Sequence, residues 1–178
     1  MIVIDEVLKK EALKRTENRM KYSFREEPIS QPGYKYSMIL TAVLGELVFE
    51  KYLKSKKINY QQIESSDYAR YFQIGNLKLE TKTSAYYNSK GYNRLNLLYN
   101  VREYDYNIDF NIHYVVQMFI NGKIPSNKFD IDECTIGHIT GGAEFSRIPE
   151  ISNEVNYDVR RPCYVVDLDD LTKVDDIF

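Results

Sequence analysis

Tryptophan is absent from this chain of 178 residues, cysteine occurs twice and proline five times. Cys134 and Cys163 are too few and too far apart for a disulfide framework, so a reducing, cytoplasmic setting is expected. No apolar run approaches the roughly 18 residues that a membrane span needs. The opening residues Met1–Glu6 lack a basic stretch leading into an apolar core, so neither a membrane partner nor a secretory signal is expected. No sign of charge dominates: 24 Lys+Arg against 26 Asp+Glu leave a net charge of −2. That balance advertises no polyanion partner, yet it leaves room for a local basic patch. Also missing are a Gly-rich phosphate loop followed by Lys-Ser/Thr, a dinucleotide fingerprint and a Cys/His set at zinc spacing. The tail Asp167-Leu168-Asp169-Asp170 has the carboxylates of a calcium loop. However, Thr172 stands where the turn needs Gly and Phe178 where a bidentate Glu is required, so it reads as a solvated acidic face. His113 and His138 fall in β-like runs and read as sheet histidines, and neither cysteine has a histidine near it in sequence to make a thiol nucleophile.

What is present is the make-up of an ordinary globular domain, 43% hydrophobic and 28% charged, of a length that suits one domain. Sixteen Tyr are the unusual count; they serve strands and cores more often than base-stacking surfaces. Residues 5–21 read as a short surface helix, and Pro28, Pro32 and Gly33 then break the chain, which sets off 1–33 as an N-terminal arm and 34–178 as a single domain. Ser37 is the expected N-cap of a strong helix ending near Lys56. Strands are expected at 68–74 and 77–84, joined through Gly75-Asn76, and along 108–120. A helix is expected at 91–103, from the spacing of Leu95, Leu97, Leu98 and Val101, and further strands at 133–140, ending at Gly141-Gly142, and at 163–166. The order implies a mixed α/β (α+β) domain with a central β-sheet flanked by helices.

Along Leu77–Ser84 the side chains alternate, so Lys78, Glu80 and Lys82 share one face of the strand. Asp67 lies upstream, with 12 residues between it and Glu80. Two carboxylates and a backbone carbonyl on adjacent strands make the hard-oxygen set that Mg²⁺ accepts, and a neighbouring Lys can orient a water and offset charge on phosphorus. A two-residue turn at Gly75-Asn76 puts Tyr71 opposite Glu80. Placing Asp67 there takes a bulge or a longer loop over 73–76. On the preceding helix, Ile39, Ala42, Val43, Phe49 and Leu53 all fall within about 60° of Glu46. A carboxylate centred on an apolar stripe is costly unless paired or metal-bound; Glu50 lies about 40° away and can share the role.

Gly45-Glu46 on a helix, then Asp67, then Glu80-Thr81-Lys82, resembles the PD-(D/E)XK nuclease superfamily, the restriction-endonuclease-like fold. Ser66 stands where the named Pro would precede the Asp. The resemblance covers residues 37–120 best. It implies an α-β-β-β-α-β core and Mg²⁺-dependent hydrolysis of phosphodiester bonds, with Mn²⁺ as a substitute. Asp67, Glu80 and the Thr81 carbonyl would hold the metal, with Glu46 beside it, and Lys82 would position the water. The partner it implies is nucleic acid, DNA first, and it allows a homodimer.

From Lys82 to Arg102 the charged residues are Lys82, Lys90, Arg94 and Arg102, with no acid among them, and Tyr86, Tyr87, Tyr92 and three Asn are interleaved. Such a swing in a net-acidic chain points to a phosphate-binding surface, with Tyr86 and Tyr92 available to bases. Two other readings stay open: a non-catalytic nucleic-acid-binding or assembly protein on the same fold, and a small-molecule hydrolase using the same carboxylates.

Overall fold

The structure, a computed structural model, describes residues 1–22, 33–64, 70–86, 96–107, 111–121, 130–155 and 162–178. In chain order the elements are β1 (Ile2–Val3), α1 (Glu6–Tyr22), α2 (Tyr34–Ser55), β2 (Gln61–Glu64), β3 (Arg70–Ile74), β4 (Leu77–Tyr86), β5 (Asn96–Asn100), α3 (Val101–Asn107), β6 (Tyr114–Asn121), β7 (Ile136–Glu144), α4 (Ile148–Ile151), β8 (Glu154–Val155) and β9 (Cys163–Asp167). Six strands form a central sheet in the order β1-β7-β6-β4-β3-β2, and three form a smaller sheet, β5-β9-β8. Among the described strands only β4 and β6 pair in parallel, which is what a crossover through β5 and α3 permits. The chain is a mixed α+β fold with a central sheet flanked by helices.

The sheet buries both faces, and the strands alternate between two apolar clusters. Leu79, Val116 and Met118 point to one side and pack with Leu40, Leu44, Val48 and Phe49 of α2 and Leu8 and Ala12 of α1. Tyr71 and Val115 point to the other side and pack with Leu97, Tyr99, Phe145 and Val166 under the small sheet. Each fully buried Leu, Val or Phe contributes roughly 1.5–3 kcal/mol of transfer free energy, so both faces hold the fold together. Helix α2 rests directly on β4: a Cβ added at Gly45 would stand 1.8 Å from Thr83 Oγ1. Glycine at 45 is therefore a condition of the helix–sheet spacing.

Several elements differ from the sequence expectation, each for a physical reason. Helix α2 starts at Tyr34 from Gly33 (φ 83°), and Ser37 lies inside its first turn with its amide bonded to the Gly33 carbonyl. Residues 96–100 are a strand rather than helix: Leu97 and Tyr99 are buried while Leu98 is exposed, a period of two that the run of leucines hid. Only Val101–Asn107 is helical. β7 runs on through Gly141-Gly142 because a bulge opposite Gln117/Met118 and the absence of side chains let the C-terminal segment cross there. Gly142 exchanges both backbone hydrogen bonds with Thr172, at 2.8 and 2.9 Å. The acidic tail is accordingly tied down, with Val174 and Ile177 buried and Asp175 bonded to Tyr52 and Lys56. Nor is residue 5–21 a surface helix: Leu8, Ala12 and Thr16 of α1 are buried against α2, and β1 pairs with β7.

Candidate active site on the central strand

β4 has α2 behind it and the small sheet in front. Thr81, Thr83 and Leu79 take the α2 side, which puts Lys78, Glu80, Lys82 and Ser84 on the side of β5. The turn at Gly75-Asn76 is tight, pairing Ile74 with Leu77 and Tyr71 with Glu80 without a bulge. Tyr71, not Asp67, is therefore the residue across from Glu80 in β3, and Val115 is its neighbour in β6. Asp67 lies outside the described residues.

The face that alternation alone would leave wet is covered. Glu80 is 6% exposed. One of its oxygens, Oε1, lies 2.7 Å from the Lys82 Nζ, and the other accepts the Tyr99 hydroxyl. The same ammonium is 2.5 Å from Glu103 Oε1 and 4.5 Å from the centre of the Tyr99 ring. Two carboxylates and a ring thus converge on one nitrogen. Tyr99 reaches Glu80 because alternation in β5 turns it inward with Leu97. Glu103 is held by its place in α3: its amide donates to Asn100 Oδ1 at 3.3 Å, and Tyr104 beside it stacks on Phe145 at 4.6 Å between ring centres.

Burial pushes the Glu80 carboxyl above its ordinary range, against the opposing pull of the Lys82 charge. Desolvation alone would draw Lys82 down, but the Glu80 and Glu103 carboxylates outweigh it and hold the ammonium above the usual lysine range. Further along the same face Lys78 lies 4.4 Å over the Tyr71 ring, and burial lowers its pKa. Its amide donates to His113 Nδ1 at 3.1 Å, so that exposed histidine fastens the start of β6 to β4.

Glu80 and Lys82 are brought together; the other expected residues are distributed as follows. Thr81 lies between them with its side chain on the α2 side and its backbone in register with Val116. Glu46 is buried as its stripe implied, but on the opposite side of the sheet, where its Oε2 accepts from Arg19 of α1 at 2.5 Å. Glu50, one turn on, bonds Arg15 at 2.5 Å and Gln62 at 2.7 Å. Tyr86 ends β4 and Arg102 lies in α3. Lys90, Tyr92 and Arg94 fall outside the described residues. Sequence reasoning missed Tyr99 and Glu103. The available signals were the alternation Leu97-x-Tyr99 and the fact that Glu103 is the first acid after Glu80.

The donor set is all oxygen, from Glu80 and Glu103, and two carboxylates gathered on one ammonium suit a hard divalent cation in its stead. Among the described residues no group of three or more His, Cys, Asp or Glu is placed to hold a metal. Also among the described residues, no helix is long and apolar enough to cross a membrane. Comparison of the chain with family models, curated proteins and solved structures gives no match to any of them.

Proposed function

We propose that this protein is a divalent-metal-dependent nuclease that hydrolyses phosphodiester bonds, DNA first, on a restriction-endonuclease-like core. The observation that carries the reading is the Glu80–Lys82 pair, 2.7 Å apart on one face of the strand at the heart of the sheet. Around it the chain order α2-β2-β3-β4-α3-β6, with β5 inserted before α3, is the α-β-β-β-α-β order that the resemblance implies.

In this reading Glu80 holds the cation, with Asp67 as a second ligand from the segment before β3. A divalent cation supplies Lewis-acid polarisation of the phosphoryl oxygens and acidifies a bound water. Lys82 donates to the attacking oxygen and offsets the negative charge that builds on phosphorus as the new P–O bond forms and the old one breaks. Its raised pKa keeps it cationic for that task. Tyr99 fixes the carboxylate plane of Glu80 through its hydroxyl. Glu46 has a separate role, joining α1 to α2 through Arg19.

A second reading is favoured by one feature. Glu80 accepts from both Lys82 and Tyr99, as a purely structural buried pair would. A non-catalytic nucleic-acid-binding protein on the same fold would show the same contacts. Purified protein incubated with supercoiled plasmid and labelled oligonucleotides, in EDTA and then in Mg²⁺ or Mn²⁺, separates the two. Metal-dependent cleavage is expected; binding without cleavage in any metal would establish the second reading instead.

A further inference from the structure

The Lys82 ammonium has two carboxylate partners, and they are not equivalent. Glu80 lies beneath it with a side chain only 7% exposed, whereas Glu103 approaches from α3 with a side chain 40% exposed. A divalent cation at Glu80 cannot share Oε1 with an ammonium 2.7 Å away without strong like-charge repulsion. The ammonium must yield that oxygen. A buried charge left without a partner is strongly unfavourable, so the exchange needs a second acceptor already in reach. Glu103 Oε1 is that acceptor, at 2.5 Å, and the Tyr99 ring flanks the nitrogen on the way. Asn100 and the stacked Tyr104–Phe145 pair fix the turn that presents it.

We propose that Glu103 is a positioning residue that takes the Lys82 ammonium from Glu80 when a divalent cation arrives, leaving Glu80 free to ligate it. The inference rests on the nuclease reading and deepens it. Glu103 acts through Lys82 and is not itself a ligand, which gives it a signature that a merely structural contact lacks. With Lys82 present, removing the Glu103 charge returns the ammonium to Glu80 and weakens cation binding. With Lys82 absent, Glu103 has nothing to hold.

Mn²⁺ affinity by calorimetry is measured for the wild-type chain, Glu103→Gln, Lys82→Met and the double variant, with melting curves to show that each is folded. Glu103→Gln is expected to weaken Mn²⁺ binding about tenfold, the order of one charge-assisted hydrogen bond lost. In the Lys82→Met background the same substitution is expected to change nothing, because the coupling is wholly between the two residues. Unchanged affinity in Glu103→Gln would overturn the proposal while leaving the nuclease reading intact. Equal weakening in both backgrounds would make Glu103 a ligand and overturn it too. A wild-type chain that binds no Mn²⁺ would remove both the proposal and the reading beneath it. Where Lys82→Met does not fold, wild-type crystals soaked in Mn²⁺ decide the matter. The ion on Glu80 with Lys82 on Glu103 is expected, and the ion on Glu103 contradicts it.

Discussion

With Glu80 and Glu103 both within hydrogen-bond reach of one ammonium, the consequences of removing Lys82 follow from what Glu80 is left with. In Lys82→Met the carboxylate stays buried without its cation, a change that costs about 3 kcal/mol when a buried pair loses one member. Burial already raises the folded-state pKa of Glu80 above its unfolded value, and loss of Lys82 raises it further. Across the interval between those two values the folded chain binds more protons than the unfolded one. Its stability therefore rises as pH falls through the folded pKa. The stability deficit of Lys82→Met is thus expected to be largest at pH 8 and to shrink toward pH 5, as urea unfolding of both chains at each pH will measure. In Glu80→Gln that part of the pH dependence is expected to vanish. At this scale the sequence was partly legible: strand alternation put Glu80 and Lys82 on one face. Their burial was not legible, because it depends on Tyr99 and Glu103, which arrive from a strand hidden under a helix-like spacing of leucines.

Helix α1 illustrates how an element can be joined to a domain by charge. Arg15–Glu50 and Arg19–Glu46 lie one turn apart along the α1–α2 contact, each at 2.5 Å with the glutamate side chain 7% exposed. Arg19→Met is expected to destabilise the chain by about 3 kcal/mol by stranding Glu46, whereas Arg19→Met combined with Glu46→Leu should recover most of that loss. Denaturant midpoints of the two variants check the expectation, and a double variant as unstable as the single one would contradict it. The apolar stripe on α2 revealed that Glu46 needed a partner, but not which: α1 mixes small, polar and charged residues on its inner face, so its periodicity is too weak to announce a packed helix. The glycines misled in the other direction. Gly141-Gly142 reads as a turn, yet it is the stretch of β7 across which Thr172 and Ile177 lie, with close approach rather than reversal as its purpose.

For the whole molecule, the meander β2-β3-β4 and the parallel return of β6 were legible from strand lengths and the Gly75-Asn76 turn, while the small sheet was not, since β8 is two residues long and β9 five. The surface proposed for nucleic acid follows the chain from Lys82 to Arg102 and rests on its charge. Neutralising Lys90 and Arg94 together is expected to lower the log–log salt slope of binding by roughly 1.4–1.8, at about 0.7–0.9 per phosphate contact. Fluorescence anisotropy across a salt series in Ca²⁺ measures it, and an unchanged slope would move the binding surface elsewhere. The central claim is that Lys82, set between two carboxylates on the middle strand, takes part in phosphodiester hydrolysis. Its most direct test is the single-turnover cleavage rate of one labelled duplex at saturating Mn²⁺, measured side by side for the wild-type chain and for Lys82→Ala shown to be folded. A rate lowered by about 10²-fold or more is expected for the loss of a group that stabilises transition-state charge, with duplex binding retained. Equal rates in the two chains, or no cleavage by the wild-type chain, would contradict the account.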